Sequence, residues 1–315
     1  MGHKKSATTT KTYLESAPLP QHKDTYTVVS HKDVMDLTET LLNKQGFTIT
    51  TELYKANMNA KVAQGIYHIT HDTASNDSEM GMMFAWTNSY DKSTRFQCGI
   101  GAHVFVCNNG LIHGDLATYG RKHTGTANAD ISSHIVSQIG MANHKFNELV
   151  KDKVAMKDFS LSRKQQAELL GRLFADEKIL DTQQLSCVKA EMDSASYNYN
   201  VDPSTAWAFY NHVTHALKLT HPRNWMDSQG KFHTFMSSEI YNATGIKPQD
   251  TPIVIDEDDY DLDARRQPNP NATNDFQTNG LDNDSLDNNP LDREDCDYSD
   301  SIIEVDEEIN DTFTL

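Results

Sequence analysis

The sequence predicts an α+β fold: a mainly antiparallel N-terminal sheet with a helix, then a helical half, then a disordered acidic C-terminal tail. Three observations predict it. Period-two runs of β-branched and aromatic residues fill the chain up to about residue 107, and helical periodicity replaces them from residue 131. The excess acidic charge is confined beyond residue 250. The boundaries that follow are a flexible arm over residues 1–22, a single α+β domain over 23–250 and the tail over 251–315.

The arm is polar and rich in Thr, Ser and Pro. Thr25 to Val29 reads as a strand, after which Ser30 caps a helix with Asp33 in its first turn, where an acid favours the positive end. Val34, Leu37 and Leu41 recur at helical spacing, and Gly46 stands at the stop. "FTITTELY", "AQGIYHIT" and "GMMFAWTN" read as further strands. In "TRFQCGIGAHVFVC", Phe96, Cys98, Ile100, Ala102, Val104 and Val106 alternate on one face, predicting a half-buried strand with Cys98 toward the core. "SYDKS" before it and "NNG" after it are turn chemistry.

Beyond residue 131, Ile135, Ile139, Ala142, Phe146 and Leu149 form one helical stripe. Ser162 with Gln165 three residues on is a capping-box signature. A further helix follows "DPSTAWAFYNHVTHALKL", with Asp202 as its expected cap and Pro203 in its first turn. The tail repeats Leu-Asp every five residues (Leu281, Leu286, Leu291) among Asn and Asp, too little apolar surface to offset the entropy of folding.

Charge sharpens the division. Residues 251–315 hold 20 acidic and 3 basic side chains and so account for the whole net charge of −17, while residues 1–250 balance at 25 of each sign. The four cysteines make no CxxC pair or zinc-knuckle spacing. No apolar run approaches the roughly 20 residues that span a bilayer, and "MGHKKSATTT" lacks a hydrophobic signal core. The expectation is a cytoplasmic protein with reduced thiols and no membrane partner.

Four constellations could carry chemistry. His103 and Cys107 share one face of their strand near His113 and Asp115, with Gly99 and Gly101 leaving room beside them. The plainer and favoured reading is a strand packed closely under a helix. His68 and His71 point to opposite faces and cannot share a metal. His212 and His215 lie three apart on a helix, but a helical wheel turns them, with Asn211 and Lys218, toward solvent, and no HExxH glutamate is near. No metal site and no cofactor is expected. The fourth is a run of cations including Lys145, Lys151, Lys153, Lys157, Arg163, Lys164 and Arg172, joined by "GRKHTG". From these, Arg121, Lys122, Lys151, Lys153, Arg163 and Lys164 are the candidates for contact with a phosphate backbone, although acids interleave with them.

The tail carries "PIVIDEDD" and "SIIEVDEE", hydrophobic-then-acidic patterns of the kind that add a strand to a partner's sheet edge. It ends with Phe313 and Leu315 after a long acidic run, similar to the tails by which phage and bacterial single-strand-binding proteins present a terminal hydrophobic residue to partner enzymes. Ile302, Ile303, Val305, Phe313 and Leu315 are therefore the expected partner contacts.

"NSYDKS", "FVCNNGL", "RKHTG" and "TAWAFYNHVTHAL" also occur in the order found in the phage/plasmid-like family known as domain of unknown function 932, and "TYTVVSHKDVMDLTETLLNKQGF" fits its N-terminal part. The resemblance spans roughly residues 25–245. His212 and His215 stand where that family more often has Ala and Tyr or Glu, which weakens a catalytic role for them. The resemblance implies a mobile-element origin rather than a reaction. The leading expectation is a non-enzymatic accessory protein of nucleic-acid transactions, in single-strand binding or annealing, with the tail recruiting partners or inhibiting the body. The alternatives are a structural or host-interaction protein, and a metal- or thiol-dependent hydrolase built on His103, Cys107, His113 and Asp115.

Overall fold

Period-two runs became adjacent strands. In the computed structural model, which describes residues 7–21, 28–72, 77–91, 93–112 and 127–246, the strands form one six-stranded antiparallel sheet in sequence order. They are β1 (Ala7–Thr9), β2 (Thr48–Ala56), β3 (Val62–Thr70), β4 (Met80–Ser89), β5 (Gln97–Val104) and β6 (Asn109–Ile112). Short connections suit such a meander, since antiparallel neighbours need no crossover. In the turn between β4 and β5, Asp91 Oδ1 accepts from the Ser93 amide at 2.9 Å, and after β5 Asn108 takes a positive φ of 51°.

The expected loose arm is corrected in part. Residues Ala7–Thr9 pair with Tyr54–Ala56, and a short helix α1 (Lys11–Glu15) buries Leu14 to 1% exposure. Thr10 caps it through the Tyr13 amide, so a polar run need not be a loose one. Of the strand expected over Thr25 to Val29, residues 25–27 lie outside the described set, and Val28 and Val29 are not in a strand. The 251–315 tail also lies outside the described residues.

Helix α2 (His31–Lys44) begins as read, with the Ser30 hydroxyl accepting from the Asp33 amide at 2.9 Å. The helical half is α3 (Ala127–Gly140), α4 (Ala142–Asp158), α5 (Arg163–Ala175), α6 (Thr182–Asp193), α7 (Ala206–Leu217) and α8 (Pro222–Thr244). The stripe from Ile135 to Leu149 is buried throughout, although the helix breaks at Met141. Ser162 and Gln165 form the expected capping box on α5. Asp202 is not the cap of α7; Thr205 is, and its hydroxyl accepts from the Ala208 amide. Asp202 instead accepts from the Ser204 amide at 2.7 Å, turning the chain before the helix starts.

Both faces of the sheet are covered, which corrects the half-buried reading of β5: all eight of its residues are buried. One face gives Tyr67, Phe84, Trp86, Cys98 and Ile100 to the main core, with Val34, Ile135, Phe146 and Leu149 from the helices. The other gives Ile66, Met83, Ala85 and Ile112 to a smaller cluster completed by Trp225 and Met226 of α8. Close approach there depends on small residues, since a Cβ on Gly110 would stand 2.7 Å from the Trp225 ring. Farther along, α8 joins the helical half through a buried relay: His233 Nε2 meets Asp152 Oδ2 at 2.8 Å, and its Nδ1 meets the Tyr210 hydroxyl at 3.1 Å. No helix among the described residues is long and apolar enough to cross a membrane.

Candidate functional site

His103 and Cys107 do not converge. Strand β5 ends at Val104, and the turn through Asn108 rotates Cys107 into the main core, where it is 4% exposed. Burial pushes its thiol up to about 12, and does the same to Cys98. A thiol that stays protonated at neutral pH is a poor nucleophile. His103 lies on the α8 side of the sheet, stacked parallel on His68 with ring centroids 3.6 Å apart and 3° between planes. Gly81 on the intervening strand makes that possible: a Cβ there would fall 2.4 Å from His103 Nε2. Burial lowers the His68 pKa to about 4, so this ring is held neutral at ordinary pH. His113 and Asp115 lie outside the described residues. His71 packs on Phe47, ring centroids 4.7 Å apart, away from this stack.

The second histidine pair overturns its sequence reading. His212 and His215 do not face solvent; all twelve residues of α7 are buried, with these two at 5% and 7% exposure. Helix α6 supplies the reason. Its Asp181–Gln184 capping box starts a helix whose buried residues include Gln184, Cys187, Val188 and Glu191, and this face lies against α7. Glu191, 4% exposed, meets both imidazoles: His212 Nδ1 at 3.9 Å and His215 Nε2 at 3.8 Å. It also accepts from the Ser196 amide at 3.1 Å and from the Ser196 hydroxyl. Burial works to raise the Glu191 pKa, but His212, His215 and Ser196 together outweigh it, and the carboxyl sits below its ordinary value. A buried anion is kept by its hydrogen-bonded and cationic neighbours.

A pocket of about 450 Å³ opens beside this carboxylate, lined by Glu191, Met192, Tyr197, Asn198, Tyr199 and His212 among others. The Tyr199 ring lies 5.9 Å from His212, nearly perpendicular to it. Arg163, at the start of α5, donates to the Met192 carbonyl at 3.2 Å and pairs with Asp193, which places a guanidinium at the pocket rim. Glu191 was absent from the sequence reading, yet a signal existed. A charged residue that extends the Gln184, Cys187, Val188 stripe at i+3 or i+4 spacing is a buried charge, and buried charges require partners.

The cations separate. Lys153 is 5% exposed and pairs with Asp77 at 2.6 Å and Glu79 at 2.9 Å, so its expected role toward phosphate is corrected. Lys157 shares Glu79, Arg172 makes a bidentate pair with Glu239, and Lys145 is buried against Gln138. Lys164 is exposed beside Arg163, and Lys151 is half-buried. Arg121 and Lys122 lie outside the described residues. No group of three or more His, Cys, Asp or Glu side chains among the described residues is arranged to hold a metal ion.

No curated protein and no solved structure matches the chain. A family does match, over residues 18–240. That span runs from before α2 into α8 and contains both histidine pairs and the pocket. With most of its length matched in this way, the chain belongs to the family described as Domain of unknown function (DUF932).

Proposed function

We propose that this protein is a non-enzymatic accessory factor of nucleic-acid transactions, encoded by a phage or plasmid and acting in the host cytoplasm. Its body binds single-stranded nucleic acid, and its acidic tail competes with the strand or recruits partners through Ile302, Ile303, Val305, Phe313 and Leu315. One observation carries the reading: an aromatic pocket next to exposed cations. Single strands bind where bases can stack on rings and phosphates can meet Lys or Arg, and Tyr197, Tyr199 and His212 line a cavity rimmed by Arg163 with Lys164 adjacent. Arg121, Lys122 and Lys151 are proposed as further phosphate contacts. A thiol hydrolase built on Cys107 loses support, because the thiol is buried and its pKa is near 12.

The test is fluorescence anisotropy of the full chain with a labelled thymidine oligonucleotide of about 15 nucleotides across a salt series. Binding that weakens steeply with salt, and falls on changing Arg163 and Lys164 together to Glu, is the expected result. Removing residues 251–315 should raise affinity, most of all near 0.01 M salt, where the Debye length is about 30 Å. Absence of binding at that salt, with and without the tail, would discard this reading in favour of a protein-interaction role.

A further inference from the structure

We infer that the pocket between α6 and α7 is the docking site of the chain's own tail, with the Phe313 ring as its occupant. Resting on the nucleic-acid reading above, this names how that binding surface is regulated. The pocket suits a ring that needs no hydrogen bond. Met192, Ala195, Tyr197, Tyr199, Val201 and Pro203 are among the residues that line it. Its polar floor is already engaged, since Glu191 accepts from the Ser196 amide and hydroxyl and faces both imidazoles. Its volume of about 450 Å³ falls within the roughly 300–1,000 Å³ of sites that hold small organic groups. Tyr197 and Val201 are half-buried and Asn198 is exposed, so the mouth opens to solvent.

Charge and reach single out the occupant. Beside the mouth, α5 presents the positive end of its dipole at Ser162, followed by Arg163 and the exposed Lys164. Arg163 already pairs with Asp193, but both side chains are more than half exposed, and exchanging one exposed carboxylate for another costs little. Residues 251–315 hold four aromatic rings: Tyr260, Phe276, Tyr298 and Phe313. The two tyrosines would bring a hydroxyl to a floor whose polar groups are engaged, and Tyr260 is followed by Arg265 and Arg266, which would meet like charge. Phe276 has a single acid within five residues. Phe313 follows "DEEINDT", four acids in seven residues and no base. The tether permits it. Arg172 of α5 pairs with Glu239 of α8, and helix rise puts Arg163 about 14 Å from Arg172 and the end of α8 about 8 Å from Glu239. Phe313 lies 67 residues beyond Ile246, a separation over which a flexible chain spans about 45 Å. Docked there, the tail covers the rings and cations that a strand would use.

The experiment uses the full-length protein with photoreactive p-benzoylphenylalanine in place of Phe313, irradiated at low concentration and mapped by mass spectrometry. Cross-links should fall within residues 192–203 of the same chain, and the same probe in place of Phe276 should leave that segment unlabelled. Changing Arg163 and Lys164 together to Glu should lower the yield, with melting temperatures checking the fold. Phe313→Ala in the full chain should raise oligonucleotide affinity by about tenfold, the weight of one buried ring, whereas Phe276→Ala should not alter it. If no variant binds an oligonucleotide, the nucleic-acid reading fails and the cross-link alone decides the docking. Cross-links from position 313 that map outside the pocket overturn the inference even where strands bind. So do cross-links found only to a second copy, with a yield that rises with protein concentration. A gain in affinity on removing residues 251–315 that Phe313→Ala does not reproduce even in part overturns it as well.

Discussion

Among the described residues two pairs of histidines are buried, and they are built in opposite ways. On the sheet, His68 and His103 stack face to face over Gly81, and burial holds His68 neutral. Between α6 and α7, His212 and His215 surround the Glu191 carboxylate beside an open pocket. The first pair is a packing device whose rings fill space that a glycine vacates. The second is an electrostatic device, in which imidazoles and a serine keep a buried carboxyl ionised. Burial alone therefore does not mark a site. What distinguishes the second pair is an opposite charge and a void.

The largest expected effect breaks the first pair from beneath. Gly81→Val sets side-chain atoms where His103 Nε2 and the Phe105 ring now lie, and such overpacking costs about 1–3 kcal/mol or more. Urea unfolding should show the midpoint fall while the slope holds. A change at the exposed Lys164 should leave it unaltered.

Acid comes next. The folded-state pKa of His68, near 4, lies below the ordinary value of 6.5. Between those values the unfolded chain binds a proton that the folded chain refuses, so stability is full above about pH 6.5 and is lost as pH falls toward 4, by at most about 3 kcal/mol. His68→Phe keeps a ring over His103 and removes the titration, so its stability curve should be flatter over that window. Glu191 contrasts in range: its carboxyl is depressed, so its contribution persists to the ordinary carboxylate value and fades only below it.

A smaller change sharpens the second pair. Glu191→Gln removes the charge that His212, His215 and Ser196 surround, and should cost about 1–3 kcal/mol at neutral pH. Wild type and variant should converge as pH falls through the folded carboxyl's pKa, readable from paired melts. Smallest of all, Arg163→Ala breaks an exposed pair with Asp193 at the pocket rim and should cost less than about 1 kcal/mol, yet weaken strand binding.

Much of the architecture was legible because local periodicity and turn chemistry agree with it. Ser30, the Ser162–Gln165 box, the stripe from Ile135 to Leu149 and the strand runs needed no tertiary information. The site was less legible. The wheel for α7 sent His212 and His215 to solvent because it assumed one covered face, whereas this helix is enclosed on all sides. For the same reason a two-sided sheet hid the burial of Gln97 and His103. Lys153 read as an available cation because its partners, Asp77 and Glu79, lie more than seventy residues earlier. Pairings of that kind are set by the fold, and no local window contains them.

The short first strand has a consequence for how this protein can be handled. A sheet edge with unpaired amides and carbonyls is a template for another chain. Here β1 covers Tyr54–Ala56, a register shift between Ile49 and Thr51 distorts the rest of that edge, and Thr51 and Glu52 are exposed along it. At the opposite edge, β6 is only four residues long and lies against α7 and α8. Trimming the first nine residues, as when an N-terminal fusion is cut away too deeply, would strip the cover from Tyr54–Ala56 and leave a strand end able to recruit its own copies. Aggregation in such a preparation would report a lost edge guard, with the core beneath still sound.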